Sequence, residues 1–176
     1  MSLRNSATAW GTGARSLHWL MAGLFCVEWM AGEFDDAFGG RGFHVSLGLL
    51  FLGLLVIRAL WRLANPVPAL PASSPAWERR AATWVHVGWY AVMAALPLTG
   101  LAYQQFKART VSFFGWGELP QWLPTNNSLA EIAEELHEGL ASFALILLAL
   151  HVAAALKHHF ISGDDVLTRM WRGARD

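Results

Sequence analysis

The last long hydrophobic segment, EIAEELHEGLASFALILLALHVAAALKHHF at 131–160, constrains this chain more than any other stretch. His137 and His151 stand fourteen residues apart in it. On an α-helix fourteen residues turn through about 1400°, which leaves the two imidazoles within roughly 40° of one face. Along the axis they are about 21 Å apart, most of a hydrocarbon core of about 30 Å. Imidazole at that depth is costly without a partner, so such residues face the protein interior and are candidates for function. Two histidines stacked in this way suit one axial ligand to each of two haems, lying one above the other across a bilayer. Each iron then needs a second imidazole from another helix, and His18, His44 and His86 are on offer.

Composition agrees with a membrane setting. The 176 residues are 55% hydrophobic, with a mean hydropathy of +0.34. That is too apolar for an ordinary soluble domain of this length. The charges fall between the apolar runs. A net charge of zero gives no support to nucleic-acid binding. The single cysteine, Cys26, excludes an intramolecular disulfide and any cysteine-based zinc or iron–sulfur centre. The expectation is an all-α fold: one transmembrane domain over residues 1–176, a four-helix bundle with two haems stacked across the bilayer.

Four helices are expected, at about 16–34, 43–63, 78–106 and 129–160. The first, LHWLMAGLFCVEWMAGEF, follows a basic stretch as a signal peptide would. It holds His18 and Glu28 and lacks a clean small-residue cleavage site, so it reads as a retained helix. DDAFGGRG is a turn, and NPVPALPASSP is a loop because its prolines forbid helix. Pro97 should kink the third helix. The loop KARTVSFFGWGELPQWLPTNN is aromatic and suits the membrane interface. Ser128 with Glu131 has the spacing of a capping box for the fourth helix. Ser162, Gly163 and Asp164 should end it.

The basic residues set the orientation. Arg4, Arg15, Arg58, Arg62, Arg79, Arg80, Lys157, Arg169, Arg172 and Arg175 fall on one side of this topology, and only Arg41, Lys107 and Arg109 on the other. Both termini are therefore expected in the cytoplasm. The histidines then pair by depth: His44 with His137 on the outer side, and His151 on the inner side with His18 or His86. A haem lying flat against a helix needs a small residue one turn from its ligand. Ala22, Gly48, Ala141 and Ala155 meet that need after His18, His44, His137 and His151, whereas Tyr90 follows His86. The competing readings are histidines that only hydrogen-bond in a packed interior, and a zinc or iron site completed by Glu28 or Glu138.

Several stretches together resemble the bacterial cytochrome b561 family of small di-haem membrane proteins. They are SLHWL, FHVSLG, VIRALWRLANPVP, ALPLTGL and the series LHE, LHVAAALKHHF and DDVLTRM. The resemblance implies His18 and His151 as ligands of the inner haem b, and His44 and His137 as ligands of the outer one. It implies a multi-pass protein of the bacterial inner membrane that moves electrons between the periplasmic side and the quinone pool. Some members look like superoxide oxidases that reduce ubiquinone, which makes superoxide or a periplasmic donor, quinone and lipid the expected partners. Lys157, His158 and His159, at the inner end of the fourth helix, are the candidate quinone site, and Arg58 and Arg62 the candidate propionate partners. Two other functions compete: a haem b anchor subunit serving a dehydrogenase or a periplasmic redox protein, and a cofactor-free helical structural or transport protein.

Overall fold

A computed structural model describes residues 2–71 and 74–173. Four long helices dominate: α1 Thr12–Glu33, α2 Arg41–Leu63, α3 Ala76–Phe106 and α4 Asn127–Phe160. A short α5, Val166–Trp171, follows. A 3-10 turn, Asp35–Phe38, joins α1 to α2. The strand pair β1 Val111–Ser112 and β2 Glu118–Leu119 is antiparallel, with Val111 opposite Leu119. This small hairpin is the one departure from an all-α chain among the described residues.

Each long helix lies where an apolar run was expected and begins two to four residues earlier. Capping explains the earlier start of α4. Asn126, not Ser128, is its cap: the Asn126 side-chain oxygen accepts from the Leu129 N–H at 3.1 Å, and its carbonyl accepts from Ala130. A side-chain oxygen there satisfies an N–H that the helix itself leaves open. At α1 the polar N-terminal stretch folds back. The carbonyls of Ser2 and Leu3 accept from Thr12 and Gly13, and the Asn5 side chain accepts from Gly11 and donates to the Pro66 carbonyl. α3 runs through Pro97 as one helix. Arg175, counted above with the cytoplasmic basic residues, lies outside the described residues, as does Asp176.

Helices α2, α3 and α4 are long and apolar enough to cross a membrane. At 22 residues α1 is close to α2 in reach, about 33 Å. His18, Glu28 and Glu33 dilute its hydrophobicity. Large apolar side chains lie bare along these helices: Leu60 is 61% exposed, Trp84 73% and Leu150 60%. Surface of this kind belongs against lipid.

The chain divides into two compact units, and all four long helices pass from one into the other. The first comprises 2–20, 56–89 and 145–173 of the described residues. It is held at its polar margin by Arg169, which donates to the Thr8 and Ala69 carbonyls. Trp19 adds a hydrogen bond to the Met170 carbonyl and an edge contact with Trp171. The second comprises 21–55 and 90–144. Its core is Met21, Phe51 and Leu55, packed by Leu24, Phe25, Tyr90 and Met93. Buried Gln105 organises the loop after α3, accepting from the Trp122 and Leu123 N–H groups and donating to the Pro120 carbonyl. Ser46 does the same for the hairpin, accepting from Phe114 N–H while its hydroxyl lies 3.0 Å from the Ser112 carbonyl.

Candidate functional site

In the second unit α2 and α4 bring His44 and His137 together, with ring centroids 6.0 Å apart and planes nearly perpendicular. A metal bonded to two imidazoles at about 2 Å from each nitrogen sets the centroids about 6 Å apart. Nδ1 of His137 lies 2.9 Å from the Leu96 carbonyl and 3.3 Å from the Thr99 hydroxyl. Nδ1 of His44 lies 3.2 Å from the Glu28 carbonyl, with the Glu28 carboxylate at 3.4 Å. A carbonyl only accepts, so each Nδ1 carries its proton and each Nε2 keeps a free lone pair. That is the tautomer a metal requires, held by partners in the surrounding shell.

Two glycines make room for these rings. A methyl at Gly32 would sit 3.0 Å from Cε1 of His44, and one at Gly100 would sit 3.1 Å from Cε1 of His137. Both rings face a cavity of about 530 Å³, a size common for cofactor pockets. Gly48 and Ala141, the small residues expected one turn from the ligands, line it. Phe25, Trp29, Leu49 and Leu101 give it apolar walls. Acids edge it, among them Glu33, Asp35, Glu134 and Glu138, with Arg41 opposing them. The buried Glu28 Oε2 has no hydrogen-bond partner among the described residues. Ring separation, tautomers, space and apolar walls all fit a haem.

In the first unit α1, α3 and α4 bring three histidines together. His151 lies 6.1 Å from His18 and 6.4 Å from His86, centroid to centroid. Trp89 stands edge-on to His151 at 6.2 Å. The competition between His18 and His86, open from the residues alone, is therefore present in the fold. Arg58 donates to Nδ1 of His18 at 3.1 Å, and Arg62 is an electrostatic neighbour of His86. Both arginines put positive charge beside this histidine cluster, and the ring separations again suit bis-imidazole binding.

Lys157, His158 and His159 do not converge on one point. Lys157 is paired with Glu78. His158 Nδ1 lies 2.6 Å from Asp164, which also caps the Val166 N–H. His159 faces a separate polar cavity with Thr8, Asp164, Thr168 and Arg169. Sequence reasoning missed the roles of Thr99, Leu96, Gly32, Trp89, Glu78 and Asp164. Thr99 and Gly100 lie in the ALPLTGL stretch that carried the resemblance, and that was their only signal.

Comparison with known proteins gives the family. The profile of the prokaryotic cytochromes b561 matches residues 9–173. Cytochrome b561 homolog 2 of Escherichia coli (strain K12) is 35% identical, over 97% of this chain and 95% of that protein. Cytochrome b561 homolog 1 of the same organism is 29% identical, over 88% and 92%. A probable superoxide oxidase CybB of Yersinia pestis is 32% identical, over 88% and 90%. With long apolar helices, paired histidines and a match along nearly its whole length, the chain belongs to the prokaryotic cytochrome b561 family of haem b-binding membrane electron-transfer proteins.

Proposed function

We propose that this chain forms a single four-helix transmembrane domain with two haem b groups, one on His18 and His151 and one on His44 and His137. It carries electrons from the periplasmic side to the quinone pool of the bacterial inner membrane, with both termini cytoplasmic. The reaction we favour is superoxide oxidation coupled to ubiquinone reduction. Two superoxide anions give up one electron each and leave as O2, and ubiquinone takes two electrons and two protons to become ubiquinol. The observation that carries the reading is the pair of ring separations, 6.0 and 6.1 Å, each with one imidazole on α4. The likeness to a probable superoxide oxidase points to the donor.

Bound in these sites, haem would supply one-electron transfer. The chain's own residues do the rest. The Leu96 and Glu28 carbonyls fix the ligand tautomers. Arg58 and Arg62 would hold the propionates of a bound haem as charge-assisted partners. At the end of α4, Asp164 orients His158 for passing a proton to a quinone oxygen, and Lys157 and His159 flank it. The test is a superoxide flux on purified protein with ubiquinone present. Ubiquinol should form with wild type and not with His137→Ala. No ubiquinol with a fully haem-loaded wild type would end the superoxide reading.

One observation favours a second reading. The acids around the His44–His137 cavity repel an anion and attract a basic protein. In that case the haem protein takes electrons from a dehydrogenase or a basic periplasmic redox partner. Reduction by such a partner that slows as salt rises would select it.

A further inference from the structure

His151 has two imidazole neighbours at metal-bridging distance. His44 and His137 each set Nδ1 on a backbone carbonyl, so the proton stands there and Nε2 offers a lone pair. His18 is not held in that way. Its Nδ1 faces the Arg58 guanidinium at 3.1 Å. Guanidinium only donates, so Nδ1 accepts, and in the neutral ring Nε2 carries the proton. A metal binds a lone pair. With Arg58 in this position His18 does not offer its Nε2 lone pair, which leaves His86 as the other imidazole within reach of His151.

The distances allow either partner. His86 stands 6.4 Å from His151 and His18 6.1 Å, a difference that a small side-chain adjustment absorbs. The two differ in their setting. Ala22 follows His18 at i+4, whereas Tyr90 follows His86, so a flat macrocycle is accommodated more easily beside His18. Arg58 therefore decides between them. Turned toward an acidic group of the cofactor, it releases His18 to take the other tautomer; turned toward His18, it blocks that ring.

We propose that His86 is a second axial ligand for the haem held by His151, taken up when Arg58 holds His18. This rests on the reading of His151 as a haem ligand. Either imidazole completes the same bis-histidine set, so their exchange opens no coordination position.

The experiment uses the full chain purified in detergent, with haem-to-protein ratio, low-spin absorbance and electron paramagnetic resonance as readouts. His18→Ala and His18→Gln should each retain both haems in low-spin form, with the resonance of one haem shifted. His86→Ala alone should keep both haems, with the His151 haem held by His18 alone, so that its resonance reduces to a single set of signals where wild type shows two. His18→Ala combined with His86→Ala should lose one haem, as His151→Ala does. The His44–His137 haem serves as the folding control in every variant. Loss of one haem from both single His18 variants to the extent seen in His151→Ala, or its conversion to high spin, would overturn the proposal. Retention of both haems by His151→Ala would instead remove the reading on which it rests.

Discussion

The two histidine sites share a separation and little else. Around His44 and His137, each Nδ1 is fixed by a backbone carbonyl, two glycines leave room for the rings, and carboxylates edge the cavity. Around His151, a third histidine competes, Trp89 supplies a wall, and Arg58 and Arg62 supply positive charge. One site is held by backbone carbonyls and edged by acids; the other gathers three histidines beside two arginines. A nearby cation stabilises an added electron and nearby carboxylates oppose it. If the proposed haems occupy both sites, the one on His151 should therefore have the higher potential, which would favour electron flow from the acidic site to the basic one, the direction that the proposed quinone reduction needs.

The largest effect that would separate the sites is steric. Gly100→Val forces bulk into the His137 ring, where a single added carbon already lies at 3.1 Å. Overpacking of this kind costs about 1–3 kcal/mol. The His137 haem should be lost or several-fold weakened, and the His151 haem retained, as read by haem-to-protein ratio. Equal loss of both would mean the sites are not independent.

Next in size is charge. Arg58→Leu removes a cation beside His18. A redox titration should show the higher potential falling by about 60 mV, a tenfold change for one electron, and the lower one nearly unmoved. A uniform shift of both would remove the electrostatic distinction.

A smaller effect tests the scaffold. Asn126→Ala removes the cap of α4 at the end that bears His137, at a cost of about 1 kcal/mol. Hydrogen exchange should rise in the first turns of α4 and not around His151. Least of all, Thr99→Val should shift the His137 haem spectrum slightly and keep the haem bound, because the Leu96 carbonyl still accepts from His137. Haem loss from Thr99→Val would show that the hydroxyl, and not the carbonyl, holds the ring.

Much of the fold was legible because hydrophobic length is a strong signal. Each long helix covers an expected apolar run, and the pairing of His44 with His137 follows from depth alone. Helix starts were less legible. Asn126 and Ser128 are both good caps, and only the fold selects Asn126. The hairpin was invisible because two-residue strands held by Ser46 have no periodicity to read. Within the sites, ligand candidates stand out as ionisable residues in apolar runs. Their supports do not: the Leu96 carbonyl is a backbone group, and Gly32 and Gly100 look like any other small residue of a packed helix. The contact between Arg58 and His18 spans forty residues. Depth could suggest that proximity, but not which nitrogen it occupies.

The central claim, two independent bis-histidine haem sites with one ligand each on α4, is tested most directly by the haem-to-protein ratio. It should be measured on wild type, His137→Ala and His151→Ala. The account predicts ratios near two, one and one, with the surviving haem of lower potential in His151→Ala and of higher potential in His137→Ala. A wild-type ratio near one, or the same haem surviving in both variants, would contradict it.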